Sequence, residues 1–238
     1  MNRKTLLSWS SGKDSAWALH VLRQRPDVEV VGLFCTVNAE FNRVAMHAVR
    51  VELLQAQAKS AGLSLHIIRI PNPCSNAEYA EAMTSFIAEA KRQDVECFAF
   101  GDLFLEDVRS YREDRLRETG ITPIFPIWGI PTEELSRTMV SSGLRAMITC
   151  IDPKCLTRDF AGREYDESFL DQLPAGADPC GENGEFHSFA FDGPMFDHPI
   201  EIALGEIVYR DGFVFADLLP ADHPPNSIWT ESGGGRSV

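Results

Sequence analysis

The chain has 238 residues, 44% hydrophobic and 24% charged, which is enough to bury a full core; its formal net charge of −13 excludes a broad electrostatic footprint on nucleic acid, which needs clustered Lys and Arg. No apolar run approaches the roughly 20 residues of a membrane span, and Met1-Asn2-Arg3-Lys4 leads into too short an apolar stretch for a signal peptide, so a cytoplasmic protein is expected. The six cysteines contain no C-x-x-C pair, which argues against a disulfide framework or a thiolate metal site.

The first half alternates short apolar runs with longer helical patterns, as βα units building a parallel sheet do. Thr5 to Trp9 reads as a strand and Asp14 to Arg25 as a helix. Val28 to Val37 is an almost unbroken β-branched and apolar run, fit for a strand covered on both faces, and His47 to Ala61 carries helical spacing through Val51, Leu54 and Ala58. Leu65 to Ile70 is the third strand and Asn76 to Gln93 a helix striped by Tyr79, Met83, Phe86 and Ile87. Cys97 to Phe100 is the fourth strand, and Leu105 to Glu118 is a charged helix closed by Gly120. Ile121 to Trp128 gives a fifth strand, which Pro123 and Pro126 place near an edge.

Beyond Pro131 the pattern changes. A helix is expected near Thr132 to Ser142 and a strand near Leu144 to Ile151, followed by a loop-rich stretch up to Phe191. Antiparallel strands then run from Pro199 to Leu204, Gly205 to Tyr209 and Phe213 to Leu218, with a turn at Arg210-Asp211-Gly212. The expected fold is α/β: a parallel-sheet domain over 1–130, a smaller C-terminal α+β lobe over 131–230, and a disordered tail over 231–238.

The strongest chemical signal is Ser10-Ser11-Gly12-Lys13-Asp14-Ser15, placed where the first strand gives way to the first helix. A helix N-terminus offers unpaired N–H groups and the positive end of the macrodipole, Gly12 lets a phosphate approach the backbone, and Ser10, Ser11, Ser15 and Lys13 add hydroxyls and charge. Neither a Walker A loop nor a dinucleotide fingerprint fits. Gly101-Asp102 stands at the C-terminal end of a strand, where open α/β sheets bind ligands, and Arg109, Tyr111 and Arg112 follow on the next helix. The arginines read either as a rim around a ligand or as a solvated, ion-paired helix face. Cys180-Gly181-Glu182-Asn183-Gly184-Glu185-Phe186-His187 brings two carboxylates and an imidazole together, fit to hold a metal, bind an amine or move a proton, or else forms a polar turn around Asn183-Gly184. No zinc ligand set is visible, and Thr36-Val37-Asn38, at the end of the second strand, is the place to look for adenine contacts.

The serine-rich loop resembles the S-G-G-x-D-S loop of the PP-loop ATP pyrophosphatases, with Ser11 in place of one glycine. With Gly101-Asp102 and Glu182 to His187, the chain resembles over about 220 residues the family containing the diphthine-ammonia ligases. The resemblance implies a fold of the adenine nucleotide alpha hydrolase type. It also implies cleavage of ATP to AMP and pyrophosphate with Mg2+, and adenylation of a carboxylate that ammonia or an amine then attacks. On it, Lys13, Asp14, Asp102, Glu182, Glu185 and His187 are catalytic, and Ser10, Ser11, Gly12, Ser15, Thr36 and Gly101 also hold the nucleotide. Arg109, Tyr111, Arg112, Asn183, Gly184 and Phe186 meet the carboxylate-bearing substrate. The ligases' E-G-G-E-F/Y-E motif departs here at Asn183 and His187, giving the E-N-G-E-F-H form of a bacterial-type branch. An ATP-binding sensor of the universal-stress type and a PP-loop tRNA-modifying enzyme are the alternatives, and a homodimer stays open.

Overall fold

The computed structural model describes residues 2–40, 43–44 and 49–221. Two sheets organise the chain. The first is built on five parallel strands in the order β4-β2-β1-β5-β6: β1 (Arg3–Ser8), β2 (Val28–Asn38), β4 (Ser64–Ile70), β5 (Cys97–Ala99) and β6 (Thr122–Ile124). A two-residue strand, β3 (Arg43–Val44), adds antiparallel to the end of β2. Helices α1 (Lys13–Arg23), α2 (Val51–Ser60), α3 (Asn76–Arg92) and α4 (Glu106–Leu116) connect these strands. The second sheet is antiparallel, in the order β8-β7-β10-β9, from β7 (Arg145–Ile151), β8 (Phe186–Asp192), β9 (Ile202–Arg210) and β10 (Phe213–Pro220). Helices α5 (Thr132–Ser141) and α6 (Glu167–Asp171) precede and follow β7.

The α/β expectation holds, with β1 at the centre of the first sheet. Adjacent side chains of a strand point to opposite faces, so Leu6 and Leu7 feed different cores. Leu6 joins Phe34, Phe98 and Phe100 beneath α3, while Leu7 joins a larger cluster. That larger cluster takes in Leu19 and Leu22 of α1 and Leu53 and Leu54 of α2, then continues without a break into Ile148, Phe189, Val214 and Leu218 of the second sheet. The second sheet therefore completes the core on one face of the first rather than building one of its own.

Three expectations need correction. The strand expected over Ile121 to Trp128 survives only as Thr122–Ile124, because Pro126 has no N–H to give a ladder and residues 125–128 turn; β6 does pair on one side only, as expected of an edge. The stretch read as loop up to Phe191 contains α6 and, more importantly, β8. The two strands expected over Pro199 to Tyr209 are one, β9, with an irregular register opposite Ala216 to Leu218. Asp211 and Gly212, at φ 52° and 88°, supply the expected tight turn into β10. His47 and the 231–238 tail lie outside the described residues.

Candidate active site

The site lies where the strand order reverses. From β1 the sheet proceeds one way to β2 and the other way to β5, and the loops leaving β1 and β5 diverge there, opening a crevice at their C-terminal ends. A cavity of about 220 Å³ occupies it, walled by Ser10, Gly12, Lys13, Asp14 and Ser15 from the first loop and by Gly101, Asp102 and Arg112 from the second. Ser8 and Phe100 add to it from the first sheet's side, and the opposite wall comes from the loop before β8, with Cys180, Gly181, Glu182 and Gly184, and from the start of β8 itself, with Phe186, His187 and Ser188. Three segments about 80 residues apart in sequence thus share one cavity.

The first loop is built for close approach. Gly12 is the extended N-cap of α1 and carries no side-chain cap bond, so no local side chain caps the first-turn N–H groups. Ser10 Oγ lies 3.1 Å from Ser15 Oγ, and Ser15 Oγ donates to Gly12 O at 2.9 Å, which orients both hydroxyls at the helix start. Gly101 lies against this turn; a Cβ there would come within 3.0 Å of Asp14 C and Ser15 N, so only glycine lets the end of β5 reach the loop.

Lys13 is more enclosed than a surface phosphate-binding lysine. It is only 2% exposed; its Nζ donates to both Asp14 carboxylate oxygens at 2.9 Å and to the Cys180 carbonyl, and lies 5.4 and 5.3 Å from the Tyr165 and Phe186 ring centroids. Burial works against its charge, but Asp14, Cys180 and Glu182 outweigh it and leave the pKa above the ordinary lysine value. Lys13 therefore joins the first loop to the 180s segment as well as charging the cavity.

Glu182 and His187 face the cavity in unusual protonation states. Burial, reinforced by Asp14 and Asp102, pushes the Glu182 carboxyl up to about 7, although it accepts a hydrogen bond from Leu103 N. Burial, reinforced by the Lys13 charge, pushes the His187 imidazole down to about 4, so it is neutral near pH 7. Asp102 is held by Arg112, whose Nη2 donates at 3.1 Å while its Nε bonds the other oxygen, and the guanidinium stacks 4.4 Å from the Phe100 ring centroid.

Several expected site residues sit elsewhere. Glu185 is buried away from the cavity wall, its Oε1 accepting from Asp178 N at 2.9 Å and Asn183 Nδ2 at 3.1 Å; it braces the loop that carries Glu182. Arg109 bonds Glu113 at 2.8 Å and lies over Phe125 and Trp128, and Tyr111 is exposed beneath Arg115. Thr36 and Ser11 also stand off the cavity wall, Ser11 fully buried at φ 70°. Conversely, two residues outside the expected set hold the loop: Ser188, whose Oγ accepts from Lys13 N at 3.2 Å, and Gln57, which bonds Ser11 O at 2.9 Å. A signal existed for Gln57, an amide on the apolar stripe of Leu54 and Ala58; none existed for Ser188.

The chain matches two family models in succession, the diphthamide synthase N-terminal domain over residues 3–123 and the diphthamide synthase C-terminal domain over residues 131–218. It is 27% identical over 162 residues to the human diphthine-ammonia ligase, an alignment covering 66% of this chain and 61% of that protein. It is 24% identical over 233 residues to the Bos taurus diphthine-ammonia ligase, covering 88% of this chain and 86% of that one. The chain thus spans less than two thirds of the human relative and most of the bovine one. Together with the three loops that the fold gathers into one cavity, these matches show that the chain belongs to the diphthamide synthase family, the PP-loop family of the diphthine-ammonia ligases.

Proposed function

We propose that this chain is an ATP-dependent ligase that cleaves ATP between the α and β phosphates, adenylates a carboxylate and passes the acyl group to ammonia. The observation that carries the reading is the shared cavity: an anion-binding helix start with Ser10, Ser15 and Lys13 on one wall, and Glu182 and His187 on the other. Residues 1–130 hold the nucleotide and 131–230 present the substrate. The family relation supports the ligase reading, and nothing in it supports the sensor or tRNA-modifying alternatives.

In this reading the first turn of α1 and the two serine hydroxyls bind the β and γ phosphates, leaving the α phosphorus open toward the opposite wall. A substrate carboxylate oxygen attacks that phosphorus as the bond to the bridging oxygen breaks and pyrophosphate leaves. Ammonia then attacks the acyl carbon and AMP departs. Glu182, poised near neutrality, takes the proton that the nitrogen loses. His187 is uncharged and so presents no anion to the incoming carboxylate, unlike the glutamate of the resembling motif.

Magnesium fits as a companion of the nucleotide. Among the described residues no group of three or more His, Cys, Asp or Glu converges on one point. Magnesium commonly needs only one or two protein carboxylates beside substrate phosphates, and Asp14 and Asp102, both on the cavity wall, would hold it through the lone pairs that Lys13 and Arg112 leave over. When bound it would neutralise phosphate charge.

The test is product analysis with magnesium and ATP labelled at the α phosphate, with and without ammonium and candidate carboxylates. AMP plus pyrophosphate, accelerated by one carboxylate, is the expected result. Formation of ADP, or binding with no cleavage in the presence of any of them, overturns the proposal.

A further inference from the structure

Gln57 sits in the middle of α2, fully buried, and both ends of its amide are in use. Its Oε1 accepts from the Trp9 indole Nε1 at 2.8 Å, while its Nε2 donates to Ser11 O at 2.9 Å and to Ala190 O at 2.6 Å. Ala190 N donates to the same Ser11 carbonyl at 2.9 Å. The Ser11 peptide is thus gripped by α2 and by β8, the strand that also carries His187 and Ser188.

The amide can sit only one way round. The indole N–H requires an acceptor at one end and the two carbonyls take donors at the other, so glutamate would set a buried anion against two carbonyl oxygens, and an apolar residue would take its acceptor from the indole, this donor from the Ala190 carbonyl and one of two donors from the Ser11 carbonyl. The gripped residue is also the strained one. Ser11 has φ 70°, in the left-handed region that a side chain with a Cβ rarely adopts, at the position where the resembling loop has glycine. Gly12, Lys13, Asp14 and Ser15 of the cavity wall follow directly.

We infer that Gln57 is the positioning residue of the phosphate loop: its amide clamps the Ser11 peptide, holds that residue left-handed in place of glycine, and so sets the loop and the His187 strand in one register. Gln57 touches no reacting atom. The inference rests on the reading of the cavity as an ATP site, and the experiment separates the two.

The four corners of a cycle are wild type, Gln57→Met, Ser11→Gly and the double variant, all in the full chain. Affinity for ATP with magnesium is read by calorimetry and loop order by amide hydrogen exchange at 12–15 in the nucleotide-free chain. Gln57→Met is expected to weaken ATP binding about tenfold in the wild-type background and only about twofold beside Ser11→Gly, because glycine needs no clamp to turn left-handed. Exchange over the loop should quicken in Gln57→Met and slow again in the double variant, while the thermal midpoint falls equally in both backgrounds. Equal loss of affinity with and without Ser11→Gly, or unchanged loop exchange in Gln57→Met, overturns the inference. Should wild type bind no ATP, the functional reading fails, and hydrogen exchange alone still decides the positioning role. If Gln57→Met does not fold, Gln57→Asn, which keeps the amide but shortens its reach, runs the same cycle with the same expected pattern.

Discussion

At the scale of single residues, Glu182 and His187 carry opposite pH signatures. Glu182 titrates at about 7 against an ordinary 4.5, so between these values the folded chain holds a proton that the unfolded chain has lost, and its contribution to stability falls as pH rises. His187 titrates at about 4 against 6.5, so there the unfolded chain holds the extra proton, and stability is lost as pH falls toward 4. Thermal midpoints followed from pH 4 to 8 should therefore rise more steeply with pH in Glu182→Gln than in wild type, and less steeply in His187→Asn. In the proposed reaction the rate, measured at a fixed concentration of free ammonia, should climb to a plateau as Glu182 deprotonates near pH 7. Glu182→Gln should lose that limb; a limb that persists in the variant would remove Glu182 from proton transfer.

At the scale of elements, α1 begins without a local side-chain cap. Its N-cap is Gly12, and the one side-chain acceptor for Lys13 N comes from Ser188 in β8. Ser188→Ala should cost about 1 kcal/mol in urea unfolding, as loss of an N-cap acceptor does. An unchanged urea midpoint would show that water serves Lys13 N equally well. Where elements were legible in sequence, the reason is periodicity: β1, β2, β4 and β5 are apolar runs and α1 to α5 show helical spacing, and all form within a few residues of expectation. β8 was missed because the dense polar run of residues 180–185 obscures the alternation of Phe186, Ser188 and Ala190, whose cover comes from α1.

At the scale of the whole molecule, the two sheets are joined by a buried charge cluster as well as by the shared core. Asp217 of β10 accepts from Arg43 Nη1 at 2.9 Å and Arg50 Nη2 at 2.7 Å, its side chain only 5% exposed. Asp217→Ala removes the anion between two guanidinium groups, and breaking a buried network of this kind should cost about 3 kcal/mol in equilibrium unfolding, with the loss shared by Asp217→Asn because the charge is gone there too. A much smaller loss in both would mean that apolar contact alone fixes the second sheet on the first.

Strand and helix periods, glycines at strand ends and a serine-rich helix start act through local geometry, so the α/β class and the three segments that line the cavity were legible in the sequence. It could not say which members of those segments meet. Glu182 and Glu185 are the same residue type three positions apart, yet one faces the cavity while the other braces the loop behind it. Arg112 and Arg109 share a helix face, yet only Arg112 reaches Asp102. A lysine at position 13 is plain in the sequence, but its burial against Tyr165, Phe186 and the Cys180 carbonyl depends on segments more than a hundred residues away. Those choices, and the protonation states that follow from them, depend on which side chains the packing of the two sheets takes out of water, and that is settled only in the tertiary structure.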